Sequence, residues 1–186
     1  MELQLQLQLQ SYGYLEVVLG PMFSGKTSKL VDIYKKNKYC NIPVLSINHE
    51  SDNRYSETMI STHDKVMIPG INCNRLFDID LSKIEEYDIF LINEGQFFDD
   101  LYDFVVHLLD KKKKIYVFGL DGDFEKKKFG QILDLIPLCD KVEKLQSLCA
   151  ICKNGRAGIF SKRISTETNQ VLVGSDNYVP ACRDCH

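Results

Sequence analysis

The chain has 186 residues, enough for one full domain with a small appendage, and its 44% hydrophobic and 26% charged residues have the balance of a soluble globular protein. Lys and Arg number 23 against 26 Asp and Glu, a formal charge of -3, which argues against extended binding to nucleic acid or an anionic membrane. There is no run of 18 apolar residues and no basic leader before an apolar stretch, and the seven cysteines read as reduced thiols or metal ligands, so a cytosolic protein is expected.

Residues 1–13 are predicted to be a tail. Its first ten, MELQLQLQLQ, alternate like a strand but contain nothing to set a register, so a disordered or opportunistically paired segment is expected. Order is predicted from Tyr14. Residues 15–19 (LEVVL) end at a glycine and read as a buried strand, followed by a glycine loop and a helix over about 26–38, with Leu30, Ile33 and Tyr34 on one face. Residues 42–47 form the next predicted strand, and 48–75 read as long functional loops around short elements. Residues 87–92 (YDIFLI) make a second buried strand. Leu101, Phe104, Val105, Leu108 and Leu109 then recur at helical spacing, with four lysines (111–114) at the helix's end, where its dipole favours cations. Residues 115–120 (IYVFGL) are the third strong strand. Strands alternating with helices imply an α/β fold with a mostly parallel sheet flanked by helices over residues 14–148. From Cys149 onward cysteines and turns replace that pattern, marking a second unit over 149–186.

Gly20-Pro21-Met22-Phe23-Ser24-Gly25-Lys26-Thr27 fits G-x-x-x-x-G-K-[ST] and lies between a predicted strand and a predicted helix, the context a phosphate loop requires. Its main-chain N–H groups and the helix N-terminus would hold phosphate oxygens, Lys26 would reach the β- and γ-phosphates of ATP, and the Thr27 hydroxyl would ligate Mg²⁺. Phosphoryl transfer also needs a group to receive the nucleophile's proton. Glu94, after the second core strand, is a candidate general base, with Asp121 and Asp123 after the third strand as rivals. Position alone does not choose among them.

Cys149-x-x-Cys152 and Cys182-x-x-Cys185 supply four thiolates at the spacing of a closed tetrahedral Zn²⁺ site, structural because no position is left open for a substrate. A redox dithiol is the alternative, and His186 is a further candidate ligand. Cys40, Cys73 and Cys139 lack metal spacing and read as buried small hydrophobes.

Taken in order, the GPMFSGKT loop at 20–27, DNRY at 52–55, THD at 62–64, NEGQFF at 93–98, LDGDF at 120–124, Phe129-Gly130, the two CxxC pairs and GSDNY at 174–178 resemble the zinc-containing thymidine kinases of animals, bacteria and large DNA viruses. The resemblance spans about 15–186. It implies a P-loop NTPase-type sheet domain with a small C-terminal zinc-ribbon lasso, and transfer of the ATP γ-phosphate to the 5′-hydroxyl of thymidine or deoxyuridine in nucleotide salvage. It also implies inhibition by dTTP and a homotetramer. Carried over by position, Glu94 corresponds to the catalytic base. Asp52, Asn53, Arg54, Asn93, Gly95 and Gln96 join Gly20, Pro21, Met22, Phe23, Ser24, Gly25, Lys26 and Thr27 as ATP-binding residues. The nucleoside pocket would be Met22, Phe97, Leu120, Phe124, Phe129, Asn169, Gln170, Val171, Leu172, Val173 and Tyr178, with the loop between the knuckles as a zinc-anchored lid. One position departs from the pattern: the aspartate usual before the catalytic glutamate is Asn93. Lysines 111–114 and 126–128 support a rival reading, a nucleic-acid-dependent ATPase, and Asn93 supports a second, a non-catalytic nucleotide sensor. The acidic total argues against the first.

Overall fold

Apolar residues alternate along the strong strands, and the computed structural model, which describes residues 12–51, 59–61, 65–166, 169–170 and 177–186, places them on both faces of one sheet. The main domain runs through β1 (Tyr14–Leu19), α1 (Lys26–Tyr39), β2 (Val44–His49), β3 (Met59–Ser61), β4 (Met67–Pro69), β5 (Ile71–Cys73), α2 (Leu81–Ile84), β6 (Ile89–Ile92), α3 (Leu101–Asp110), β7 (Lys114–Gly119) and β8 (Lys141–Lys144). Among the described residues, six of these strands pair in the order β5–β2–β6–β7–β1–β8, every pair parallel.

The period of two decides which side chain meets which helix. Leu15, Val17 and Leu19 of β1, Phe90 and Ile92 of β6, and Ile115 and Val117 of β7 enter one core with Phe104, Val105 and Leu108 of α3 and with Ile132 and Leu135 of the 3₁₀ segment Ile132–Leu138. Val18, Ile89, Leu91 and Phe118 face the other way, against Leu30 and Val31 of α1 and Ile60 and Ile68 of the antiparallel β3–β4 pair. The strands lie between two layers, the arrangement expected for a parallel sheet. Their carboxyl ends lead into the loop at residues 20–25 after β1, Asn93 and Glu94 after β6, and Leu120 after β7.

Two strands of the six-stranded sheet lie where no strand is predicted. β5 adds to one edge beside β2 within the stretch read as loops, and β8, sequence KVEK, adds to the other beside β1. Three- and four-residue edge strands have too little apolar pattern to register, and charges on an edge oppose further pairing. The strand expected at 42–47 is shifted to Val44–His49.

The C-terminal unit contains β9 (Ser147–Leu148) paired with β10 (Ala157–Gly158), and β11 (Phe160–Arg163) paired with β12 (Tyr178–Ala181), both antiparallel. β9, which lies just before the boundary expected at 148/149, pairs with β10 of the cysteine-rich unit. Cys40 is exposed, not buried as expected; Cys73 is buried and Cys139 half-buried.

Candidate active site and metal centre

The loop after β1 is shaped by residues with positive φ. Gly25, at +86°, forms the N-cap of α1, and Phe23 also adopts φ 63°. Gly20 (φ +153°) has no space for a side chain: a Cβ there would lie 2.7 Å from both Leu145 O and Ser24 Oγ. Lys26 is buried, and its Nζ donates to Gly20 O at 2.9 Å and Pro21 O at 2.8 Å, so its ammonium is held against the loop. Ser24 Oγ is buried with no partner among the described residues, a hydroxyl suited to a phosphate oxygen. Thr27 lies in the first turn of α1.

After β6, Asn93 is buried and its Nδ2 donates to Asn48 Oδ1 of β2 at 2.8 Å. Glu94 turns the chain through a left-handed conformation, φ 52° and ψ 41°, into the 3₁₀ turn Gly95–Phe97. A Cβ on Gly95 would come within 2.8 Å of Val117 Cγ1, so this turn presses on β7. Glu94 Oε2 accepts from Gln96 Nε2 at 2.7 Å. The rival carboxylates are committed elsewhere. Asp121 pairs with Lys144 at 2.6 Å. Asp123 Oδ1 accepts from the main-chain N–H groups of Glu125 and Lys127, both at 2.9 Å, and its Oδ2 accepts from Gln170 Nε2 at 2.8 Å.

The residues expected around a nucleoside form two groups. Phe97 and Phe129 meet edge to face at 5.5 Å, with His49 5.4 Å from Phe97. Burial pushes the His49 pKa below its ordinary value, so at neutral pH the ring is an uncharged aromatic wall. Phe124, Tyr178, Asn169 and Gln170 form the second group, gathered by Arg163 of β11. The Arg163 guanidinium lies 3.7 Å over the Phe124 ring and 5.1 Å from the Tyr178 ring. It donates to the Tyr178 hydroxyl, to Asn169 O, and to Gln170 O at 3.1 Å. Met22 lies on the loop at residues 20–27 and Leu120 directly follows β7. Asp52, Asn53, Arg54, Val171, Leu172 and Val173 fall outside the described residues.

In the C-terminal unit the Sγ atoms of Cys149, Cys152, Cys182 and Cys185 all lie within 4.8 Å of one another. A tetrahedron with Zn–S bonds of about 2.3 Å needs sulfurs roughly 3.8 Å apart, so the four fit a closed zinc site. Main-chain N–H groups, that of Cys152 foremost, bring the Cys149 pKa down to about 6 against the effect of burial. The contact with Cys182, followed by burial, pushes Cys185 up to about 12. A dication would relieve that crowding of thiols. His186 is outside the quartet; its ring packs on Phe160 at 5.1 Å. The cysteines follow strands and lie in turns, not at a helix start as a redox pair requires.

Residues 13–186 match the family model described as thymidine kinase. The chain belongs to the thymidine kinase family. It is 37% identical to a thymidine kinase of variola virus over 175 residues, 94% of this chain and 97% of that protein. It is 38% identical to the thymidine kinase of sheeppox virus (strain KS-1), with the same coverage, and 38% identical to that of Yaba monkey tumor virus (strain VR587) over 94% of each chain.

Three residues of this thymidine kinase family member carry parts of the site that sequence reading missed. Arg163 was hidden in a Lys-Arg pair like any surface charge. Asn48 meets Asn93 from 45 residues away, and Ser161 Oγ accepts from the Met22 N–H of the phosphate loop at 2.9 Å across 139 residues. The β11 alternation that buries Ser161 and Arg163 was the available signal. Four of the seven lysines in the two runs are held by carboxylates: Lys111 and Lys113 pair with Glu85, Lys127 with Glu125 and Lys128 with Asp134. Among the described residues no helix is long and apolar enough to cross a membrane.

Proposed function

We propose that this kinase transfers the γ-phosphate of ATP to the 5′-hydroxyl of thymidine, and of deoxyuridine, in nucleotide salvage in the cytoplasm. The observation that carries this reading is the nearness of two strand ends on either side of β7: a phosphate loop with its lysine turned inward after β1, and the Glu94 carboxylate in the tight turn after β6. The loop's N–H groups, Ser24 and Lys26 hold the ATP phosphates, with Asp52, Asn53 and Arg54 as further ligands. Mg²⁺, for which Thr27 is the protein ligand and Asn93 an acceptor for a bound water, would neutralise phosphate charge when present. Glu94 accepts the hydroxyl proton as that oxygen bonds to phosphorus and the bond to the ADP oxygen breaks. Phe97, Phe129 and Leu120 wall the sugar and base on one side. Phe124, Tyr178, Met22 and residues 169–173 close the other, where main-chain groups read the base edge. Zinc on the four cysteines anchors both ends of that lid.

dTTP fits the same reading as an inhibitor, with thymine under the lid and triphosphate toward the loop, so raising either substrate relieves it. A homotetramer is the expected assembly. The deciding experiment is a phosphorylation assay with thymidine, deoxycytidine and deoxyguanosine on wild-type protein and Glu94→Gln. Thymidine alone should be phosphorylated well, and Glu94→Gln should lower kcat about 10²–10⁴-fold while both substrates still bind. A Glu94→Gln rate within about threefold of wild type removes Glu94 from the chemistry; no nucleoside phosphorylation by wild type removes the whole reading.

A further inference from the structure

Gln96 is 3% exposed and both ends of its amide are engaged. Its Nε2 donates to Glu94 Oε2 at 2.7 Å, and its Oε1 accepts from the main-chain N–H of Leu120 at 2.9 Å. The second contact fixes the first. A main-chain N–H can only donate, so the amide oxygen must face Leu120 and the NH₂ must face the carboxylate. The surroundings are shaped to this one arrangement. A Cβ on Gly119, the last residue of β7, would lie 2.4 Å from Gln96 Oε1, and a Cβ on Gly130, at φ +59°, would lie 2.1 Å from Gln96 O. Two glycines therefore open the space that Gln96 fills. Glu94 itself sits in a left-handed conformation that a residue with a side chain adopts only at a cost, so its geometry depends on what surrounds it.

We propose that Gln96 is a positioning residue for Glu94, not an ATP ligand: it locks the plane of the carboxylate to the end of β7 through Leu120. This rests on the reading of Glu94 as the general base. A neutral donor is suited to the task. It holds one carboxylate oxygen by a hydrogen bond, yet places no cation beside the group that must receive a proton. Restricting the carboxylate to one orientation also raises the fraction of encounters in which it points at the hydroxyl. Because Leu120 is expected to border the nucleoside, the same amide links the wall that seats the substrate to the group that deprotonates it.

The test is a double-mutant cycle on the full-length protein with radiolabelled thymidine. Gln96→Leu removes both hydrogen bonds. Gln96→Met, closer in shape to glutamine, likewise removes both, and it remains informative if the leucine variant fails to fold. Each should lower kcat about 10- to 100-fold, with affinities for thymidine and a non-hydrolysable ATP analogue within about threefold of wild type. Combined with Glu94→Gln, each should add less than about twofold, because the amide acts only through that carboxylate. A tenfold loss of ATP-analogue affinity at unchanged kcat would make Gln96 an ATP ligand. Losses that multiply in the double variant, or a kcat within threefold of wild type for every folded Gln96 variant, overturn the proposal. Glu94→Gln at the wild-type rate is a separate result, since it refutes the base and not the link to it.

Discussion

Replacing Glu16 with glutamine should lower the melting temperature at neutral pH and have progressively less effect in acid. Glu16 lies on β1 with 5% of its surface exposed. It accepts from Tyr14 Oη at 3.0 Å, Lys29 Nζ at 3.2 Å and Lys141 Nζ at 3.0 Å, joining α1 and β8 to the strand that leads into the phosphate loop. Burial by itself raises its pKa, but the bonds from Lys141, Tyr14 and Lys29 outweigh burial and hold the value below the ordinary 4.5. A hydrogen bond to a charged group contributes about 1.5–3 kcal/mol. Two factors reduce the sum: Glu143 remains as a partner for both lysines, and the Lys141 side chain is 51% exposed, so solvent screens its share. Glutamine also keeps one acceptor. A net loss of roughly 2–3 kcal/mol follows, which for a chain this long lowers Tm by about 4–12 °C. The sign with pH follows from the depressed pKa: the carboxylate's contribution is complete above its unfolded pKa and lost as pH falls through the folded one. Thermal melts of both proteins should therefore differ most near pH 7 and converge only as the pH falls past the ordinary 4.5 and through the depressed folded pKa. Equal melting temperatures at pH 7, or a difference that persists undiminished in acid, would refute the account.

Cys149→Ser should abolish stoichiometric zinc binding, measured by metal analysis, and weaken thymidine affinity; ATP affinity should also fall, by a smaller factor, because Ser161 of the same unit holds Met22. Arg163→Lys keeps the charge but loses the flat, multiply donating guanidinium, so KM for thymidine should rise about tenfold while KM for ATP moves less than threefold; equal changes in both would deny the clamp its local role. Asn93→Asp puts a charge where Asn48 can answer it by turning its amide, so the fold should survive and the Mg²⁺ concentration for half-maximal rate should fall; an unmoved metal titration would mean that residue 93 has no part in holding the ion.

What could be read from sequence divides along the range of the interactions. β1, β6, β7, α1 and α3 carry their own periodicity because each buries a continuous face, and the GPMFSGKT loop and cysteine pairs are local patterns: a glycine turn between strand and helix, and two knuckles that each offer neighbouring sulfurs. β5 and β8 exist only because a neighbouring strand offers an edge, so four residues such as KVEK carry no mark of it. The contest among Glu94, Asp121 and Asp123 was open in sequence, and the structure occupies the two aspartates with Lys144 and with the turn after β7. Ser161, Arg163 and Asn48 act on partners folded in from elsewhere in the chain, which a motif cannot express.

The bond between Ser161 and the Met22 amide limits how this protein can be taken apart. Trimming the chain after Leu148 to obtain a minimal sheet domain would strip a partly buried N–H of its acceptor within the loop at residues 20–27, besides removing β10 from β9. A chimera that imports a foreign cysteine module inherits the same requirement, a hydroxyl at position 161, before any question of metal or substrate arises. The appendage is thus a structural component of the loop at residues 20–27, and an exchange of either half must preserve that bond.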